Sequence, residues 1–241
     1  MARTPSRKPT ARATGQPTRR RWRLLRWGLR GLVIAAAAVV LAIVAYALIN
    51  PPTTPYMFAE GRRLGGVEQE WVVFEDIAPV MARSVVASED ANFCLHWGLD
   101  IAAIRAAMAA GSARGASTIS QQVVKNAYLW QGRSWFRKVI EAGITPLMEA
   151  VWSKRRILEV YLNIIEFDEG VFGVQAAAQL YFGVDAIDLT ARQAARLAAV
   201  LPDPKGRSAS DPSQLVRNRA VQIIDGAATI AADGRADCFA D

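Results

Sequence analysis

The sequence predicts a mainly α-helical domain behind a single membrane-spanning helix near the N-terminus. Two observations predict this class: an uncharged apolar run close to the start of the chain, and apolar residues that recur at helical spacing in the later part. Of the 241 residues, 52% are hydrophobic and 21% are charged. This composition excludes a globally disordered protein, and the length suffices for one domain with a core of its own.

The positive charge is concentrated at the start of the chain. The sequence has 29 lysines and arginines, 22 aspartates and glutamates, and a formal net charge of +7. Residues 1–30 hold ten of the basic residues and none of the acidic ones, which leaves 19 basic and 22 acidic residues, a net charge of −3, for residues 51–241. Because the larger part is mildly acidic, we do not expect nucleic acid as a partner.

Residues 31–50 are predicted to form a transmembrane anchor. The run Gly31–Ile49 has 19 uncharged residues, and about 20 are needed to cross a hydrocarbon core. The basic flank predicts a cytoplasmic N-terminus, so the chain beyond the anchor lies outside the cytoplasmic membrane. A cleaved signal peptide is the alternative, but its apolar stretch is usually only about 7–15 residues long.

Composition divides the rest of the chain. Residues 1–30 form a basic cytoplasmic tail, and its first 20 residues, rich in Pro, Thr, Ser and Arg, are predicted to be disordered. Residues 51–75 are predicted to be a connector with a short extended piece at Trp71–Phe74, and residues 76–241 to be the outward domain.

Capping residues mark the helix starts of the outward domain. Thr118, followed three positions later by Gln121, has the form of a capping box. A helix over residues 101–110 is expected to end at Gly111. The other predicted N-caps are Asp100, Ser134, Ser153 and Thr190.

Glu89 opens the first polar cluster, residues 89–100, which contains three carboxylates and the one histidine, His96. Glu89 follows an apolar helical stretch, and a carboxylate at a helix end beside apolar groups can act as an acid or a base. Ordinary helix-end and turn chemistry is the alternative explanation.

A second cluster, residues 115–126, surrounds a predicted helix start with hydroxyl and amide side chains and one lysine. Free N–H groups at such a start suit phosphate binding, although the P-loop pattern is missing. A capped helix with a polar face is the alternative. The candidate binding residues here are Ser117, Thr118, Gln121, Lys125 and Asn126.

A third cluster brings two cations and one carboxylate onto one helix stripe. Lys138 lies three positions before Glu141, and Arg137 lies four before it. This stripe could hold a pyrophosphate. A solvated salt bridge worth about 0.3 kcal/mol is the commoner alternative.

Taken together, the order and spacing of these clusters resemble the peptidoglycan glycosyltransferases of glycosyltransferase family 51. The matching blocks are E-D-x-x-F-x-x-H-x-G from Glu89, G-x-S-T-I-x-Q-Q-x-x-K-N from Gly115, R-K-x-x-E from Arg137 and S-K-x-x-I-L-E-x-Y-L-N from Ser153. The resemblance covers about residues 70–205.

The resemblance implies a lysozyme-like fold with two lobes around a cleft, and polymerisation of lipid II with inversion and release of undecaprenyl pyrophosphate. It implies that Glu89 is the general base and Glu141 a second essential carboxylate near the donor pyrophosphate. Arg137 and Lys138 match the cations there, and the candidates of the second cluster match the block that lines the cleft near the donor.

The family's setting also implies partners and a location. We expect lipid II, the nascent lipid-linked glycan strand and the membrane as partners, with other cell-wall synthesis and division proteins as further candidates. The expected location is the inner membrane, with a periplasmic catalytic domain. We expect no obligatory cofactor and no permanent metal site, although Mg²⁺ or Mn²⁺ can bridge the pyrophosphate. Without S-x-x-K and K-T-G motifs, we expect no transpeptidase domain.

Two other classes remain as alternatives. A glycosidase or lytic enzyme would share the fold but has no need for the cationic pair Arg137 and Lys138. A membrane-anchored adaptor without activity would tolerate the loss of Glu89.

The two cysteines, Cys94 and Cys238, could pair in an oxidising compartment. One lies in a gap of a motif, and the other lies in residues 205–241, which carry no family signature. We therefore expect them to remain unpaired.

Overall fold

The structure is a computed structural model in which the chain divides into two compact units, Met1–Leu41 and Ala42–Asp241. The residues it describes are 18–109, 111, 117–132 and 134–240. Residues 1–17 of the predicted tail lie outside the described residues, and residues 18–20, predicted to be disordered, are helical.

Helix α1 spans Thr18–Tyr46 and contains most of the predicted anchor. Within the described part of the chain, its stretch Arg21–Tyr46 is the one helix long and apolar enough to cross a membrane. Many of its apolar side chains, including Leu32 and Ile34, are exposed, as is required of side chains that face lipid. Helix α1 therefore has the length and composition of a single-pass anchor.

Nine further α-helices follow within the described residues. They are α2 Pro55–Leu64, α3 Pro79–Glu89, α4 Ile101–Ala109, α5 Ile119–Tyr128, α6 Trp135–Glu149, α7 Lys154–Ile164, α8 Val174–Phe182, α9 Ala191–Val200 and α10 Gln214–Ala232. The predicted mainly α class is confirmed.

Three short strands form a small sheet in the order β1–β3–β2. They are β1 Glu68–Gln69, β2 Glu166–Asp168 and β3 Val171–Phe172. Strand β1 pairs in parallel with β3, and β2 pairs antiparallel with β3.

The helix starts follow the predicted caps. Thr118 and Gln121 form a capping box at the start of α5, with each side chain accepting from the other residue's backbone N–H. Ser134, Ser153 and Thr190 cap α6, α7 and α9, and Asp100 accepts from the backbone N–H of Ala103 at 2.8 Å at the start of α4. Ala110, the predicted last residue of α4, lies outside the described residues.

The helices of the second unit pack in two groups. Helices α3, α9 and α10 contact one another, and α5 contacts both α6 and α7. Buried side chains of the first group include Val85 and Leu197, and those of the second include Val123 and Leu158. The end of α3 and the start of α5 face each other between the groups, and this junction positions the site described below.

The predicted connector, residues 51–75, contains a complete helix. Thr54 caps α2 by accepting from the N–H of Met57 at 3.1 Å, and Pro55 stands at the first helical position. The extended piece is β1 rather than Trp71–Phe74. Asn163 holds the stretch Trp71–Phe74, because its side chain both accepts from and donates to the backbone of Val72 at 2.9 Å.

The last turn of α1 belongs to the second unit and is fastened there. The indole N–H of Trp152 donates to the carbonyl of Ile43 at 2.7 Å, and Arg156 donates to the carbonyl of Tyr46 at 3.0 Å. Side chains of the second unit thus satisfy carbonyl groups that a helix end leaves without partners.

Cys94 and Cys238 form a disulfide, so the expectation that they remain unpaired is wrong. Their Cα atoms are 5.6 Å apart although 144 positions separate them in the sequence. The reason is the packing of α10 against α3, which returns the segment after α10 to the loop after α3. Local sequence patterns carry no information on such a contact.

Candidate active site

Glu89 is the last residue of α3, and its side chain is 14% exposed. Its Oε2 accepts from the amide of Gln122 at 3.0 Å, and its Oε1 accepts from the hydroxyl of Ser88 at 3.3 Å. The guanidinium of Arg219 on α10 lies 3.8 Å from Oε1. The carboxylate is therefore held in place while part of it stays exposed, so that a bound hydroxyl can come within hydrogen-bond reach of it.

The residue after the carboxylate ties α3 to α5. Asp90 is buried, and its Oδ2 accepts from the backbone N–H of Ile119, the first residue of α5, at 3.0 Å. Its Oδ1 lies 2.8 Å from Nε2 of His96. Asp90 and His96 thus bond within the protein, as the alternative of ordinary helix-end and turn chemistry predicts. Glu89 itself lies between the end of α3 and α5.

Gly98, the last residue of the first motif block, occupies a position where no larger residue fits. Its φ of +76° belongs to the left-handed region, and a Cβ there would lie 2.5 Å from Cγ2 of Thr145. Its carbonyl accepts from the hydroxyl of Thr118 at 2.6 Å. A glycine at position 98 therefore lets the loop pack closely against α6, while the bond from Thr118 joins the loop to the start of α5.

Glu141 forms the second half of the site on α6. Its side chain is 3% exposed, its Oε2 pairs with Arg137 at 2.6 Å, and its Oε1 pairs with Lys138. The ammonium of Lys138 also donates to the hydroxyl of Ser117 at 2.9 Å. The stripe on α6 is therefore a buried carboxylate holding two cations at the start of α5, not a solvated salt bridge.

Lys125 lies on α5 between the two carboxylates. Burial lowers the pKa of Lys125, the nearby Arg137 and Lys138 lower it further, and Glu141 and Glu89 oppose these effects. Among the residues that the structure describes, none accepts a hydrogen bond from its ammonium group. Burying a cation without a hydrogen-bond partner is unfavourable, and the binding role of Lys125 stays a prediction.

The other candidates of the second cluster are buried within the protein. The polar atoms of Thr118 and Gln121 form the capping box, and Asn126 accepts from the amide of Gln131 at 2.9 Å. Ser117, in contrast, is exposed. The direct binding role of Thr118, Gln121 and Asn126 stays a prediction. Gly115 and Ala116 of the same motif lie outside the described residues.

Two residues at Glu89 were missed by the sequence analysis. Gln122 orients the carboxylate, and its own Oε1 accepts from the hydroxyl of Tyr161 at 3.2 Å. Burial holds the pKa of Tyr161 well above its ordinary value, so this hydroxyl remains a donor. Gln122 belongs to a matching motif and could have been found; Arg219 lies in a segment without a signature.

The buried ion pair between Lys154 and Glu149 contacts the loop that follows Glu89. The ammonium of Lys154 lies 2.8 Å from both Oε1 of Glu149 and the carbonyl of His96, and 4.4 Å from the centre of the Phe93 ring. The hydroxyl of Ser120 donates to the same carboxylate. The fourth motif block thus contributes Lys154 as a support for the first.

No group of three or more His, Cys, Asp and Glu side chains suited to a metal ion occurs in the described part of the chain. Glu141 is the carboxylate that pairs with Arg137 and Lys138, and both of its oxygens already face these cations. The residues present therefore do not fit a protein-held divalent cation at this point.

Comparison with known proteins defines the class to which this fold and site belong. A family model described as Transglycosylase matches residues 59–228. The protein named biosynthetic peptidoglycan transglycosylase from Jannaschia sp. (strain CCS1) is 64% identical over 216 residues, covering 90% of each chain.

Two more distant relatives carry the same name. The one from Rhodospirillum centenum is 46% identical over 91% of this chain and 97% of its own, and the one from Caulobacter vibrioides is 42% identical over 90% and 99%. The chain therefore belongs to the family of biosynthetic peptidoglycan transglycosylases, which are glycosyltransferases.

Proposed function

We propose that the protein polymerises lipid II into glycan strands by inverting transfer, with release of undecaprenyl pyrophosphate. The observation that carries this proposal is the position of α5 between a carboxylate and a cation cluster. Gln122, which holds Glu89, and Lys125, which faces Arg137 and Lys138, are three residues apart and share one helix face. A base and an anion site thus lie along one side of a single helix.

Glu89 accepts the proton of the acceptor 4-hydroxyl as that oxygen attacks C1 of the donor sugar. The new bond joins the acceptor oxygen to C1, and the bond from C1 to the pyrophosphate oxygen breaks. Attack from the face opposite the leaving group converts the α linkage of the donor into a β linkage. The fixed bond from Gln122 keeps the carboxylate aimed at the hydroxyl.

The cation cluster, defined as Lys125, Arg137 and Lys138, offsets the charge that develops on the departing pyrophosphate. Three cations with the one carboxylate of Glu141 give a formal net charge of +2. This charge matches the two negative charges of the donor's pyrophosphate diester and helps to offset the further charge that develops as the group departs. Glu141 holds two of these cations in place before the ligand arrives. We assign no step to a divalent cation, because both oxygens of Glu141 are already engaged.

The surroundings of the cluster support a lipid-linked substrate. Helix α6 carries Arg137 and Lys138, and its outer side chains Trp135, Phe136 and Val139 are 88%, 69% and 66% exposed. An exposed apolar surface of this kind suits a membrane interface and a polyprenyl chain. With the basic residues that precede the apolar run Gly31–Ile49, this supports an inner-membrane protein with a cytoplasmic N-terminus and a periplasmic catalytic domain.

Incubation of the purified full chain in detergent with labelled lipid II tests the proposal. We expect conversion of lipid II to glycan strands, loss of this conversion in Glu89→Gln, and inhibition by moenomycin, which targets the donor site of family 51. Glu169→Gln is the control, because that carboxylate is a surface group with a half-exposed side chain. Digestion of finished peptidoglycan without use of lipid II would instead identify a lytic enzyme.

A further inference from the structure

The loop after Glu89 is contacted by the segment that follows α10. This segment, residues 233–240, is called the return segment here. Cys238 forms the disulfide with Cys94, Arg235 donates to the carbonyl of Ala91 at 3.3 Å, and the ring of Phe239 lies 6.3 Å from that of Phe93. Both aromatic side chains are buried.

These contacts act on a loop with little regular structure of its own. Between Glu89 and α4 the chain forms a single 3-10 turn, Phe93–Leu95, and the side chains of Leu95 and Trp97 are exposed. Such a stretch is ordered by the contacts that reach it rather than by its own backbone ladder. The position of Glu89 therefore depends on what holds the residues that follow it.

Two supports hold the loop. On one side, Asp90 bonds to the start of α5, and Lys154 bonds to the carbonyl of His96. The return segment supplies the second support, at residues 91–94. Helix α10 also delivers Arg219 to the residues before the loop, since this guanidinium donates to the hydroxyl of Ser88 at 3.1 Å. Helix α10 and its continuation thus contact the chain on both sides of the carboxylate.

We propose that the return segment, fastened by the Cys94–Cys238 disulfide, is a positioning element for Glu89, and that its release lowers turnover without weakening substrate binding. This inference rests on the proposed role of Glu89 as the base. The physical reason is that, among the described residues, no hydrogen bond or ring contact joins the return segment to α5 or α6, which carry the cation cluster. The segment does contact the loop that follows the carboxylate. A misplacement of about 1 Å in a reacting group can cost about a hundredfold in rate.

Two variants release the return segment in different ways. The double variant Cys94→Ser, Cys238→Ser removes the covalent link, and Phe239→Ala removes the buried ring while leaving the disulfide. The matched control is Val221→Ala, which alters a 68% exposed side chain on α10 away from the loop. All are compared with the full chain in the same detergent.

Steady-state kinetics with lipid II and hydrogen exchange are measured together. In both releasing variants we expect kcat to fall about tenfold while KM for lipid II stays within about twofold. Peptides that cover residues 88–97 should exchange faster, and peptides from α5 and α6 should exchange as in the unaltered chain. Val221→Ala should match the unaltered chain in all measurements.

The outcomes separate positioning from simple stabilisation. A folded double variant with unaltered kcat overturns the proposal, and so does a loss of activity that only follows the fraction of folded protein. If the double variant does not fold, Phe239→Ala decides by the same two measurements. An unaltered chain that does not consume lipid II refutes the proposed function instead, and hydrogen exchange still reports whether the return segment orders the loop.

Discussion

The side-chain amide of Gln122 donates a hydrogen bond of 3.0 Å to the carboxylate of Glu89. Because the other end of that amide accepts from Tyr161, the amide has one orientation, with its N–H₂ toward the carboxylate. A side chain from α5 thus fixes the direction of a carboxylate at the end of α3. The two helix groups are joined at the point where the chemistry is proposed to occur.

Replacing Gln122 tests this junction. We expect Gln122→Leu to lower kcat/KM for lipid II by about tenfold or more, because a hydrogen bond to a charged group contributes about 1.5–3 kcal/mol. Lipid II polymerisation rates measure the effect. Gln214→Leu is the control, since that amide bonds only to neighbours on the surface of α10. Equal rates in the two variants would show that Glu89 needs no orienting partner.

Lys125 is expected to reduce stability while serving function. Burial lowers the pKa of Lys125, so between that lowered value and the ordinary value near 10.5 the unfolded chain binds more protons than the folded one. In that window the stability of the folded chain rises with pH. We expect Lys125→Met to raise the free energy of unfolding by about 1 kcal/mol at neutral pH and to abolish polymerisation.

Urea unfolding of the two proteins at neutral pH and near pH 10 checks the sign. The difference between Lys125→Met and the unaltered chain should shrink as the pH rises, because the lysine of the unaltered chain then loses its charge. A variant that is less stable at neutral pH would contradict the description of Lys125 as a half-buried cation without a hydrogen-bond acceptor among the described residues.

Replacing Lys138 is expected to lower activity strongly while changing stability only slightly. Its side chain is 38% exposed, and Arg137 still pairs with the buried Glu141 when Lys138 is replaced. We therefore expect Lys138→Ala to lower the free energy of unfolding by only about 1 kcal/mol. Donor use should fall by at least about tenfold, because the charge on the leaving pyrophosphate is less well offset. Arg192→Ala, which removes an exposed cation from α9, should leave the rate unaltered. A rate for Lys138→Ala equal to that of this control would remove Lys138 from the cation cluster.

Gly98 carries a purely steric prediction. Gly98→Ala should lower the free energy of unfolding by about 2 kcal/mol or more, since the new Cβ meets Thr145 and the backbone has a positive φ. Gly66→Ala is the matched control, because nothing lies within 4 Å of its added Cβ. Chemical unfolding of both variants measures the difference; similar midpoints would mean that the loop moves to admit the methyl group.

Local patterns predicted the parts of the fold that depend on neighbours in sequence. The capping box of Thr118 and Gln121 was predictable because three positions suffice to define it. Helix α2 was missed although its signal is also local: Thr54 as the cap and Pro55 as the first helical residue form a common helix start. Composition alone predicts a connector over residues 51–75, and this prediction takes no account of the local helix-start signal.

The site was predictable only to the extent that motifs cover it. The spacing of Arg137, Lys138 and Glu141 predicted one helix stripe, but not that the carboxylate would be buried, because burial depends on the packing of α6 against α5. Arg219 and the disulfide come from α10 and its continuation, which no motif marks. Contacts between parts of the chain more than a hundred positions apart leave no periodic trace in one sequence.

The Cys94–Cys238 disulfide means that this chain has two covalent forms, one reduced and one oxidised. In a reducing environment both sulfur atoms are thiols, and the bond between Cys94 and Cys238 forms under oxidising conditions. Under the proposed periplasmic location, the bond forms after export of the chain. In the laboratory, the choice of expression compartment and of buffer decides which covalent species is assayed, so preparations made with and without reductant are not interchangeable.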